Sequence, residues 1–226
     1  MSKSKAKGPR KTRAQSKAEA TEVVAALRAR GCGPHEIFTE LTRANIEFTE
    51  RRAQETGCCP ECWLSTRDGT CICAAIHPVP LRTPLRLLVW VHQRDYCNAG
   101  NSGSTLLQAC AGQAISKLLL FGRMEDDAAL AAALRESPGR AMLLFPGEGS
   151  ISVSQFLLQC AAASSSEPEP EHEAGVPQQP ITVVVPDGTW QNVKQMVGGQ
   201  RRAFSYHLPF SYLYCQSTVY HTAVFT

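Results

Sequence analysis

The stretch ITVVVPDGTWQNVKQMV, residues 181–197, joins two kinds of chain. ITVVVP is a short, wholly apolar, β-branched run, which predicts a strand buried on both faces. GTWQNVKQMV follows it with no long linker and reads as the next helix. Three similar runs lie upstream: LRLLVWVH (85–92), KLLLFG (117–122) and RAMLLFPG (140–147). Helix-like segments alternate with them at 104–115, 125–136 and 152–163. Alternation of apolar strands with helices predicts an α/β domain built on a mainly parallel sheet flanked by helices.

Outside this core the chain has distinct parts. Residues 18–56 predict an N-terminal helical segment. One helix over 18–30 carries Val23, Val24 and Leu27 on one face and stops at Gly31. A second runs from His35 to about Glu55, opened by Pro34, with Ile37, Leu41 and Phe48 as its stripe. Residues 164–180, SSSEPEPEHEAGVPQQP, read as a disordered acidic insertion between a helix and a strand. The chain ends in LPFSYLYCQSTVYHTAVFT, an aromatic, β-branched run, as a C-terminally shortened domain does.

Charge is unevenly placed. The chain has 23 Lys and Arg against 20 Asp and Glu. Residues 1–17 hold seven of the basic residues and no acid, so the rest has 16 against 20. The first 17 residues predict a disordered basic tail, able to attract phosphate without reading sequence. They lack an apolar face, which favours a cytoplasmic or nuclear setting over a mitochondrial one. No apolar run approaches the roughly 18 residues of a membrane span.

Ten cysteines are present, five of them between Cys58 and Cys73. Cys59-Pro-Glu-Cys62 and Cys71-Ile-Cys73 are two closely spaced pairs joined through Asp68-Gly69, a turn signal. Four thiolates suit zinc and make a closed structural site with no place for water. Residues 57–80 are therefore expected to form a small four-cysteine zinc module, with Cys58 as a substitute for Cys59. The competing readings are a chance group of reduced thiols and an iron–sulfur cluster.

Chemistry in an open α/β sheet collects at the carboxyl ends of strands. Asp187-Gly188-Thr189-Trp190 stands at such an end and enters a helix directly. Asp187 can act there as a general base, or only as a helix N-cap; Trp190 can face a ligand or only fill core. The run Asn98–Gly103 is a Gly/Asn/Ser loop that lets backbone approach an anion, and His92 and Asp95 precede it.

In chain order, the paired cysteines, His92-x-x-Asp95, Asn101-Ser102-Gly103, Leu144-Phe145-Pro146 and Asp187-Gly188-Thr189-Trp190 resemble the DTW-domain proteins, which are tRNA-uridine aminocarboxypropyltransferases. The resemblance implies a DTW domain over 57–226 with a fold similar to the SPOUT class, whose sheet carries a C-terminal knot. It implies S-adenosylmethionine as co-substrate, tRNA as partner, and transfer of the 3-amino-3-carboxypropyl group to N3 of a uridine. By family position Asn101, Gly103, Pro146, Thr189 and Trp190 line the donor pocket, with Asp187 and Asp95 as the catalytic carboxylates and Cys59, Cys62, Cys71 and Cys73 on structural zinc. No stable protein partner is expected. The family's His-Pro-x-Glu stands here as His92-Gln93-Arg94-Asp95, and its Asn-Thr-Gly-Arg/Lys as Asn101-Ser102-Gly103-Ser104. Those departures and the shortened C-terminus leave a second expectation, an RNA-binding zinc protein of the same fold with impaired catalysis; a third is a related S-adenosylmethionine enzyme, a SPOUT-like RNA methyltransferase.

Overall fold

The apolar runs meet in one parallel sheet. A computed structural model of the chain describes residues 13–81, 84–111, 114–146, 150–165, 180–203 and 211–213. Two helices lead, α1 (Arg13–Ala29) and α2 (Pro34–Thr56). The α/β portion follows as β1 (Leu85–Val91), α3 (Gly103–Ala109), β2 (Ala114–Leu120), α4 (Met124–Arg135), β3 (Ala141–Leu144), α5 (Val153–Ser165), β4 (Ile181–Asp187), α6 (Trp190–Ala203) and β5 (Ser211–Leu213).

The sheet order is β2-β1-β4-β3-β5, and every neighbouring pair is parallel. Side chains alternate between its faces. Leu87, Val89 and Val91 of β1 meet Cys110 beside α3 and Phe156 and Cys160 of α5. Leu88 and Trp90 meet Leu130 and Leu134 of α4 and Val193, Met196 and Val197 of α6. Both faces are covered, which is why the strands read as continuous apolar runs. Each fully buried side chain of this kind contributes about 1.5–3 kcal/mol.

The connections obey one rule. β1 to β2 and β3 to β4 step one way along the sheet and use α3 and α5 on one face. β2 to β3 and β4 to β5 step the other way and use α4 and α6 on the opposite face. Direction and face reverse together, so all four crossovers share one hand. The chain leaves β1 toward β2 and leaves β4 toward β5. The crevice between those departing loops lies at the carboxyl ends of β1 and β4, where Val91 and Asp187 are in register.

Several boundaries differ from the sequence reading. Helix α1 begins at Arg13, inside the expected tail. On α2 the buried positions are Ile37, Thr42 and Ile46, while Phe48 is 51% exposed, so the stripe lies one step round from the expected one. The helix expected over 104–115 ends at Ala109, because Ala114 and Ile115 pair with Leu85 and Arg86 of β1. Sheet pairing outweighs the local helical pattern there. The expected knot falls on the chain beyond α6, where the described residues are Ser211–Leu213 alone, and the centre of the acidic insertion also lies outside the described residues. Among the described residues no helix is long and apolar enough to cross a membrane.

Candidate functional site

Strand β4 delivers Asp187 to the crevice, and the neighbouring backbone fixes it. The His92 N–H donates to the Asp187 carbonyl at 2.9 Å, extending the pairing of the two strands by one bond. Opposite the carboxylate stands the loop before α3, where the Gly103 N–H donates to Asn101 Oδ1 at 2.9 Å. A Cβ at Gly103 would sit 2.6 Å from Val89 Cγ1 and overlap Asp187 Oδ2 outright. Glycine is required there so that α3 can close on the carboxylate.

Asp187 is only partly accessible, and its Oδ2 is enclosed without a hydrogen-bond partner among the described residues. Burial pushes its pKa above the usual carboxylate range. The Asn101 side chain and the Gly103 and Gly188 amides pull the other way, the negative charge of Asp95 adds to the rise, and burial prevails. A carboxylate with a raised pKa and an uncommitted oxygen in a crevice is a proton acceptor in waiting. It is not the N-cap. That role falls to Thr189, whose Oγ1 accepts from the Asn192 N–H at 3.4 Å and whose carbonyl accepts from Val193 N–H at 2.9 Å.

Asp95 has a different occupation. Its Oδ2 accepts from the Thr189 N–H at 3.1 Å and from Asn192 Nδ2 at 2.7 Å. It ties the loop after β1 to the first turn of α6. Gly188 makes this approach possible: at φ 153°, a Cβ would lie 2.7 Å from Asp95 Oδ2. His92 turns away from the crevice. It is 3% exposed, stacks on Phe121 at 5.7 Å, and accepts the Arg94 N–H on Nδ1 at 3.2 Å. Burial lowers its pKa, against the raising charge of Asp95.

Trp190 is not core. It is 52% exposed, stacks on Phe145 at 5.2 Å with 27° between the rings, and lies under Lys194 Nζ at 5.0 Å. Exposed Pro146 adjoins Phe145. The structure thus brings Asp187, Asn101 and Gly103 together in one group. Asp95 and Thr189 form a second group across Gly188, with Trp190 following on α6. Asn192 and Lys194 went unremarked in the sequence. Lys194 could have been found as the i+4 neighbour of Trp190 on a helix. Asn192 carries no such local signal, because its partner Asp95 is 97 positions away.

The cysteine centre is built by short-range structure. Gly57 closes α2 at φ 73°, and Cys58 pairs with Ser65 in an antiparallel bridge. The Cys59 N–H donates to the Leu64 carbonyl and the Trp63 N–H to the Cys59 carbonyl, at 2.8 and 2.9 Å. That knuckle points Cys59 and Cys62 at Cys71 and Cys73. The four Sγ atoms all lie within 4.8 Å of one another, with Cys59–Cys73 at 3.6 Å and Cys62–Cys71 at 3.7 Å. A tetrahedral zinc with Zn–S of about 2.3 Å needs sulfurs roughly 3.8 Å apart. The donor set and spacing therefore fit structural zinc. Burial opposes ionisation of Cys62, but the Ile72 and Leu64 amides and neighbouring thiols outweigh it and bring its pKa to about 6. Cys58 stands outside the group, donating to the Trp63 carbonyl at 3.1 Å, so Cys59 and not Cys58 completes the four-sulfur cluster. Trp63, 4% exposed, packs edge-on against Tyr96 at 5.4 Å and anchors the module in the core.

An α/β sheet with a carboxylate crevice at its switch point and a four-cysteine centre beside it defines the class. Residues 57–209 match the DTW domain, and the chain belongs to the DTW-domain family, the tRNA-uridine aminocarboxypropyltransferase family. Membership places it among proteins that modify tRNA. No curated protein and no solved structure matches the chain.

Proposed function

We propose that the protein transfers the 3-amino-3-carboxypropyl group of S-adenosylmethionine to N3 of a tRNA uridine. The observation that carries this reading is the Asp187 carboxylate, enclosed, unpartnered at Oδ2 and raised in pKa at the end of β4. N3 of uridine bears a proton and is a poor nucleophile until it is removed. The Asp187 carboxylate accepts that proton as N3 bonds to the terminal carbon of the group. S-adenosylmethionine supplies an activated carbon–sulfur bond, whose electron pair leaves with sulfur as methylthioadenosine. Positioning supplies much of the remaining acceleration.

The residues divide the work. Asn101 and Gly103 hold the loop against the carboxylate, and Asp95 holds Thr189 and the start of α6. Trp190, flanked by Phe145 and Lys194, offers a face on which the adenine of the donor stacks. Asn101, Gly103, Pro146, Thr189 and Trp190 are thus the proposed donor-site residues. Cys59, Cys62, Cys71 and Cys73 would hold zinc, which supplies structure and no chemistry at the crevice. The test is by-product identity after incubation with S-adenosylmethionine and unmodified tRNA. Methylthioadenosine supports this reaction; S-adenosylhomocysteine would make the protein a methyltransferase.

A further inference from the structure

Helix α3 closes on Asp187 with Gly103 but turns another face elsewhere. Ser104, Leu107 and Gln108 share that face at i, i+3 and i+4, and with Ala111 just beyond the helix they line a cavity of about 300 Å³. Its far wall is the cysteine knuckle, with Glu61 and Trp63, and its floor includes Leu118 of β2. Ser104 is 3% exposed, and its Oγ has no hydrogen-bond partner among the described residues. Gln108 Nε2 is also buried without one. Buried polar groups in native structures are nearly always paired, so two orphans on one cavity ask for a ligand.

We propose that this cavity holds one nucleobase of the RNA substrate, a base other than the one modified. The inference rests on the tRNA-modifying reading above. Size comes first: 300 Å³ is at the lower end for small-molecule sites, enough for one ring system and too little for S-adenosylmethionine. Leu107, Leu118 and the Trp63 indole give a flat ring apolar walls. The Gln108 amide donates to a carbonyl or ring-nitrogen acceptor, and the Ser104 hydroxyl takes either a donor or an acceptor beside it. An acceptor next to a donor is the edge that an unstacked RNA base presents. Among the described lining residues none is basic, so none of them holds a phosphate. The base must arrive on a chain whose phosphates are held elsewhere. It is not the reacting base, because the first turn of α3 is sealed against Asp187 and Val89, leaving no room for even a methyl group at Gly103.

The cysteine module thereby acquires a part in recognition, as one wall of a base pocket. Two variants of the full chain test this. Gln108→Leu keeps volume and removes the orphaned donor; Ala111→Phe fills the cavity from its exposed rim. Affinity is measured at one salt concentration for an unmodified tRNA transcript, a perfect RNA duplex and S-adenosylmethionine. Each variant should weaken tRNA binding about tenfold, as losing one base contact does. Duplex and S-adenosylmethionine affinities should stay within twofold, and the melting temperature of Gln108→Leu should not fall. Unchanged tRNA affinity in both variants, equal losses for tRNA and duplex, or a lowered melting temperature in both would overturn the pocket. Turnover is scored separately. Wild-type protein that binds tRNA but forms no aminocarboxypropyl uridine removes the proposed reaction and leaves the pocket standing. Product formation alongside unchanged variant affinities removes the pocket alone.

Discussion

The cysteine centre and the strand-end crevice are both made of short motifs, yet they are assembled differently. Cys59, Cys62, Cys71 and Cys73 converge through one knuckle and one turn, and their sulfurs are equivalent in role. The two carboxylates of the crevice are not equivalent. Asp95 is committed to Thr189 and Asn192, while Asp187 keeps an oxygen free. A local centre can be complete in its own segment. A crevice at a switch point exists only once β1 and β4 lie side by side, and packing then decides which acid is committed to hydrogen bonds and which keeps an oxygen unpartnered.

The sharpest way to break this contrast is to attack the local centre. Chelation of zinc, or Cys62→Ser, should unfold the 58–76 region and lower the melting temperature sharply, because structural zinc contributes on the order of 10 kcal/mol to such modules. Metal analysis should find one zinc per chain; none would mean that the four thiols are only neighbours. Next is Asp187→Asn, expected to cut kcat by roughly 10²–10⁴ while raising stability. The sign follows from the raised pKa. The folded state favours neutral Asp187, so its contribution is fully present below the unfolded pKa and is lost as pH rises through the folded one. The stability advantage of Asp187→Asn should therefore be largest near neutral pH and vanish near pH 3, as followed by denaturant melts.

Smaller effects separate holding from reacting. Gly103→Ala places a methyl group on Asp187 and Val89 and should cost about 1–3 kcal/mol of stability, along with most of the activity. Asp95→Ala leaves the Thr189 amide and the Asn192 side chain unpaired, for a loss of roughly 1–3 kcal/mol. Asp95→Asn retains an acceptor and should recover much of both stability and turnover; if it is as inactive as Asp187→Asn, the division between the carboxylates fails. Trp190→Ala should weaken S-adenosylmethionine binding about tenfold, the order of one base-stacking contact, and barely move the melting temperature, since the ring is half exposed.

How much was legible in the sequence follows the same division. Strands β1, β3 and β4 were visible because both-face burial makes them uniformly apolar, and the four clustered cysteines because their spacing is local. The early start of β2 was hidden, since only its pairing with Leu85 and Arg86 overrides a helical pattern. Phe48 looked like core by its type and spacing, but α2 settles on Ile37, Thr42 and Ile46. Asp187 could be marked as a candidate from its place after an apolar strand. Its free oxygen, the commitment of Asp95, and the part played by Asn192 depend on contacts between distant segments, and no single stretch encodes them.

The most direct measurement is mass spectrometry of nucleosides from tRNA incubated with S-adenosylmethionine and either the wild-type chain or Asp187→Asn. Aminocarboxypropyl uridine formed by the wild type, with methylthioadenosine released and the product nearly absent with Asp187→Asn, is the expected result. A methylated nucleoside, or undiminished product from Asp187→Asn, would contradict Asp187 as the base of an aminocarboxypropyl transfer.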